Sequence, residues 1–301
     1  MDSSSKLSLA LFAASLIFVS AANAELRDFQ TTRLISTAGT GVGSILMDEG
    51  TILNPAPLAF FGTTSFYVQK NNSKYEYDKN DGSGTKQTDK MDNWSFIASD
   101  GNGQVGASLS YQTQKIGDST RKRWGLAMGM PADKDSAFGV SVKRTVDETT
   151  TMGRTDKDTL YQFNAGVTHV MSPSLTLGLL ASDVTKKDEG DTAIIVGIQY
   201  VYAEFISLMA DGGTNYTQSF ADYAQYRGAA QFKVFSDVYL RVGAYENKAK
   251  HERGTGGGIG WVGPKLVFEA AIARKKLLAF KDVRTQSEEA KEASFSLSLR
   301  F

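Results

Sequence analysis

From residue 63 to the C terminus, apolar and polar side chains trade places at every second position, the spacing of a β-strand with one oily and one wet face. In the last such segment Phe295, Leu297, Leu299 and Phe301 share one face, and Ser294, Ser296, Ser298 and Arg300 share the other. The dyad recurs in Val105, Ala107, Leu109 and Tyr111 against Gly106, Ser108, Ser110 and Gln112. It returns in Trp124, Leu126, Met128 and Met130, in Leu175, Leu177, Leu179 and Ala181, and in Val238, Leu240, Val242 and Ala244. This pattern predicts fourteen strands, near residues 63–71, 92–100, 103–114, 121–131, 136–146, 158–171, 174–185, 192–203, 205–213, 222–235, 237–247, 254–262, 265–274 and 292–301.

A soluble sandwich alternates in the same way, because its oily faces meet inside. The connections separate the two. Residues 100–103, 171–174, 235–237 and 262–265 are tight turns, whereas 71–91, 147–157, 216–221 and 275–291 are long polar stretches. Short turns on one rim and long loops on the other fit an all-β, transmembrane antiparallel up-and-down barrel of about 14 strands, with both termini on the short-turn side. On that reading Trp94 and Trp124 fall near the outer rim, and Trp261 and Phe301 near the periplasmic one.

The N terminus sets the compartment. Lys6 precedes an apolar run over 7–20, and Ala22-Asn23-Ala24 forms a small-x-small cleavage site, the pattern of a secretory signal peptide. The chain therefore divides into a signal peptide (1–24), a segment preceding the strands (25–62) and the barrel (63–301), and the expected location is the outer membrane. There is no cysteine, hence no disulfide and no thiolate metal site. Lys and Arg total 33, as do Asp and Glu, so no bulk charge points to nucleic acid.

The segment before the first strand carries Gly39, Gly41 and Gly43 in a Gly/Ala-rich run, then Asp48 and Glu49, then Asn54, Pro55 and Ala56. This order resembles the N-terminal hatch of the long-chain fatty-acid transporter (FadL-like) family, in which a Gly/Ala-rich stretch, an acidic residue and an Asn-Pro-Ala motif lead into a fourteen-stranded barrel. The resemblance implies that Asn54, Pro55 and Ala56 form the plug motif with Asp48 as its acidic position, and that the ligand is small and hydrophobic. The glycine run is no nucleotide loop, since it lacks the Lys-Ser/Thr and no βαβ unit follows.

Assigning the polar strand faces inward places Lys143, Arg227, Lys233, Arg241 and Arg300 in the lumen, with Asp211 and Glu269 as acids. The segment 25–62 has Glu25, Asp28, Asp48 and Glu49 against Arg27 and Arg33, so an acidic hatch is expected to dock on a basic wall. The other reading of the same charges is an open, anion-leaning pore.

Other chemistry is sparse. His169 and His251 are the only side chains suited to a neutral-pH base; one is expected at a strand end and the other in an outer loop, and neither has a nucleophile setting, so no enzyme is expected. Asp78, Asp81, Asp89 and Asp92 lack the order of a calcium loop, and no metal or cofactor is expected. The expected partners are outer-membrane lipids and lipopolysaccharide, which the charged turn 186–191 is placed to touch, and the barrel assembly machinery, for which Phe301 is the family-like C-terminal signal. The expected function is a plugged, passive channel for small hydrophobic molecules. A general or anion-leaning diffusion porin and a structural or adhesive barrel that binds a partner through its loops are the alternatives.

Overall fold

Fourteen antiparallel strands pair each with the next, and the last pairs with the first, so the sheet closes without an edge. The computed structural model describes residues 28–78, 85–101, 104–151, 153–188, 190–279 and 287–301; the signal peptide, Glu25 and Arg27 lie outside them, as does Asp81. The strands are β1 (Ser65–Asp78), β2 (Lys86–Gly101), β3 (Gly106–Ile116), β4 (Ser119–Pro131), β5 (Ser136–Thr151), β6 (Arg154–Ser172) and β7 (Leu175–Ser182). They continue as β8 (Ala193–Tyr202), β9 (Ile206–Thr214), β10 (Gln225–Lys233), β11 (Val238–Asn247), β12 (Glu252–Val262), β13 (Leu266–Leu277) and β14 (Glu288–Arg300).

Each strand keeps the predicted division of faces. On β3 Ser108, Ser110, Gln112 and Gln114 are buried inward, while Leu109 is 46% exposed. Outward positions expose Phe66, Val68, Phe96, Leu126, Val140, Phe163, Val196, Val242 and Leu297. A water-soluble protein does not carry an apolar surface of this extent, whereas a lipid-facing barrel requires it.

The far rim departs from expectation. The stretches 71–91 and 147–157 were expected as long loops, yet β1 runs to Asp78 and β2 resumes at Lys86, and β5 and β6 stay paired up to Thr151 opposite Arg154. Pairing continues because main-chain hydrogen bonds need no oily outer face; beyond the apolar belt the outward side of the wall turns polar. By contrast β7 and β8 are short, and β6 pairs with β7 only as far as Ala165 opposite Ala181. The mouth is therefore slanted, tall along β1–β6 and β13–β14. Trp94 and Trp124 accordingly lie well below the rim, exposed at the upper part of the apolar belt, while Trp261 and Phe301 lie near the turn end. A further difference is a helical turn over Phe220–Tyr223, where a strand was expected from 222.

Inside the closed sheet run residues 28–62. They form a helix α1 (Thr32–Ser36), which packs on β12 and β13, and a 3-10 turn (Ala56–Phe60), which packs on β4 and β5.

Candidate functional site

The lumen begins with a helix too short to hold itself. Thr31 caps α1 by accepting a hydrogen bond from the Leu34 amide at 3.2 Å, and its hydroxyl donates to Glu49 at 2.8 Å. The chain then turns through Ala38 and Gly39, both at positive φ, and Gly39 N–H closes the helix end on Leu34 O at 2.7 Å.

The Gly-rich run that follows is held from the wall. Asp211 on β9 accepts from the Gly41 amide at 2.8 Å and from the Val42 amide at 3.2 Å. Here the run crosses β8 so closely that a Cβ on Gly43 would stand 2.5 Å from the carbonyl carbon of Gly197, and one on Gly197 2.4 Å from the Gly43 nitrogen. Two glycines facing each other are what allows backbone to touch backbone.

Asn54 works as a three-way tie. Its Nδ2 donates to Val42 O at 2.9 Å and to Val167 O and Thr168 Oγ1 at 3.2 Å, and its Oδ1 accepts from the Ala56 amide at 3.1 Å. A side chain at Gly166 would collide with it, a Cβ there lying 2.0 Å from Asn54 Oδ1. Pro55 and Ala56 then start the 3-10 turn, which needs no amide hydrogen from Pro55. Asp48 is buried and accepts from Ser65 Oγ at 2.7 Å, with the Arg300 guanidinium at 3.8 Å.

The charges meet in a different pattern from acidic hatch on basic wall. Arg33 reaches Glu269 at 3.3 Å, and Arg241, almost fully buried, reaches the same carboxylate at 2.9 Å, so a wall acid holds a cation from each side. Two wall cations serve main-chain carbonyls instead of acids: Lys143 donates to Ile52 O at 3.1 Å and Arg227 to Gly39 O at 2.9 Å. Asp28 follows the expected sense, with Arg123 at 3.7 Å and Lys250 beside it. Lys233 lies inward near the end of β10. Opposite charges are paired locally because a buried, unpaired carboxylate or guanidinium is too costly to leave to a general field. Glu49 is buried among these groups, and burial lifts its carboxyl to about 7, with Arg33 opposing and Asp48 and Glu269 adding to the rise.

Above this segment lies a cavity of about 110 Å³ whose rim includes Arg123, Lys143, Arg227, Lys250, Asp28 and Asp191. Leu34, Leu53, Leu180 and Ile195 form its apolar floor, part of a cluster with Val42 and Ala193. The cavity is thus oily only below and charged at its rim. Higher still, inward positions turn apolar, and Tyr75, Met91, Ile116, Leu277 and Ala290 pack together on the tall side of the mouth.

The inward glycines Gly166 and Gly197, together with Arg123, were not singled out from the sequence. A glycine at an inward position of an otherwise regular strand is the signal that would have found the first two. His169 faces outward and lies 2.9 Å from Ser136 Oγ, and His251 sits in a turn at positive φ. Asp89 accepts from Tyr77 and Asp92 from Lys70, and no metal-ligand cluster occurs among the described residues.

No protein-family model matches the sequence, and no curated protein sequence matches it. Solved structures share its fold. The P. putida toluene transporter TodX is 11% identical, with a TM-score of 0.69 over 91% of this chain and 99% of that one. The CymD monoaromatic hydrocarbon channel is 10% identical, with a TM-score of 0.67 over 90% and 97%. A Pseudomonas aeruginosa FadL homologue is 14% identical, with a TM-score of 0.60 over 90% and 98%. At such identities the likeness is one of fold.

Proposed function

We propose that this barrel is a passive outer-membrane channel for small hydrophobic molecules, closed at rest by its own residues 28–62 acting as a plug. The carrying observation is the change of inward side chains at the mouth, from Ser, Asn and Gln deeper in the lumen to Tyr75, Met91, Ile116, Leu277 and Ala290. A wall meant only for water and ions gains nothing from apolar residues there, while a hydrocarbon gains about 25 cal/mol per Å² that it hides from water. That two proteins sharing the fold carry toluene and monoaromatic hydrocarbons in their names supports the same class of cargo.

In this mechanism the cargo parts the apolar seam at the mouth and settles on the floor of Leu34, Leu53, Leu180 and Ile195. It leaves when the Gly-rich run and the Asn54 tie shift. The lipid-facing belt and the closed sheet favour the outer membrane, where barrels of this kind sit.

A second reading, an anion-leaning pore, has its own support: Arg123, Lys143, Arg227 and Lys250 outnumber Asp28 and Asp191 around the cavity. Uptake of radiolabelled toluene by cells with intact lipopolysaccharide separates the two. Expression of the protein should raise uptake several-fold, and Met91→Asp should remove most of that gain. Uptake no faster than in cells lacking the protein, together with a steady chloride-selective conductance in planar bilayers, would place the anion pore first.

A further inference from the structure

On the outer surface the sheet register sets four cations in one row. Arg274 on β13 stands opposite Lys291 on β14, Lys291 opposite Lys74 on β1, and Lys74 opposite Lys90 on β2. All four occupy exposed, outward positions. Directly opposed residues bring their side chains within about 5 Å, and like charges so placed weaken the pairing of their strands.

The compensation is incomplete. Arg274 pairs with Glu289 at 2.8 Å, and Lys291 shares Glu76 at 3.3 Å and Glu289 at 3.6 Å. Among the described residues Lys74 and Lys90 have no acidic partner within ion-pair distance. Repulsion kept across four neighbouring strands points to an anion that arrives from outside the chain.

The height of the row says which anion. On the side toward Ser65 and Phe301, β13 presents Ile272, β14 presents Phe295, β1 presents Val68 and β2 presents Trp94 and Phe96 to the outside, all exposed. Lys70, directly opposite Phe295 and Trp94, lies 4.6 Å from the centroid of the Trp94 ring and is paired with Asp92. The row of four therefore begins where the lipid-facing surface stops, on the side away from the start of β1 and the end of β14. Groups at that level meet the phosphates of lipids whose acyl chains lie against the belt below.

We propose that Lys74, Lys90, Lys291 and Arg274 form a binding site for the phosphorylated glycolipid of the outer leaflet, with its phosphates on the row and its acyl chains on Ile272, Phe295 and Trp94. The proposal rests on the membrane location inferred above, but its test needs no transport, so toluene uptake and lipid binding fail separately.

The test uses the full mature barrel in neutral detergent, with diphosphorylated lipid A as the probe. Lipid-bound and free barrel are counted by native mass spectrometry, and thermal melting is followed in parallel. In Lys74→Thr/Lys90→Thr the affinity for lipid A should fall at least about tenfold, the loss of one or two charge-assisted contacts. Preference for lipid A over its dephosphorylated form should vanish with it. The same variant should melt no lower than the wild type without lipid, because it has lost a repulsion; a merely structural role for the lysines gives the opposite sign. Lys74→Arg/Lys90→Arg should retain binding. Equal affinity in the Thr variant overturns the proposal. So does protection of the wild type by inorganic pyrophosphate as effective as that by lipid A, which would make the row a site for free anions.

Discussion

Asp211 is the clearest single-residue hold on residues 28–62, because its carboxylate accepts from two consecutive main-chain amides that would otherwise be buried unpaired. Asp211→Asn turns one acceptor into a donor facing an amide, and should cost about 1–3 kcal/mol of the docking of residues 28–62. The expected readout is faster proteolysis within residues 28–62, with the barrel still migrating as a folded species on an unheated gel. Glu49 gives the docking of this segment a pH dependence. Its folded value of about 7 lies above the ordinary 4.5, so its contribution to stability is complete below about 4.5 and lost as pH rises through about 7, up to about 3 kcal/mol. The melting temperature should therefore fall between about pH 5 and pH 7.5, and Glu49→Gln should flatten that slope. A slope unchanged in the variant would assign the effect to other groups. At this scale Asn54, Asp48 and the glycine run stood out locally in the sequence, while the contacts they make with the wall did not. Gly166 and Gly197 did not stand out, because their importance comes from what lies opposite them, Asn54 and Gly43.

At the scale of elements, the N-terminal segment and the barrel wall are held by contacts between far-separated stretches, so they should come apart without destroying the sheet. Deleting residues 25–62 should leave a closed barrel with a large, steady conductance in planar bilayers, where the intact protein is nearly silent. Equal conductance would mean that the segment does not plug. A gentler version is Gly197→Val, whose side chain has no room beside the Gly43 backbone. It should displace the run and produce intermittent openings of the same size. Strand number and the inner and outer faces were readable because period two is a local property of the chain. The upper strand ends were not, because β1, β2, β5 and β6 continue as paired ribbon where the outward face is polar and no oily outer face marks them.

For the whole molecule, closure is the decisive event, and it joins the first strand to the last. β1 pairs with β14 from Ser65 opposite Arg300 to Glu76 opposite Glu289, and Thr64 and Phe301 exchange main-chain hydrogen bonds at 3.2 and 3.0 Å. The Phe301 ring meets Phe66 edge-on, with centroids 6.1 Å apart. Phe301→Ala should reduce the amount of assembled barrel in the outer membrane several-fold while leaving the melting temperature of the assembled fraction within a few degrees, as checked by gel mobility of membrane fractions. The sequence by itself determined an all-β barrel, its fourteen strands and the oily and wet side of each, since these follow from neighbouring residues. Only the tertiary structure decided that Asp211 grips Gly41 and Val42, that Glu269 joins Arg33 to Arg241, and that four cations line up on the outer wall. Those contacts depend on strand register and on closure, and a shift of one residue in the register of β9, β11 or β13 would turn Asp211, Arg241 or Glu269 to the other face of the sheet.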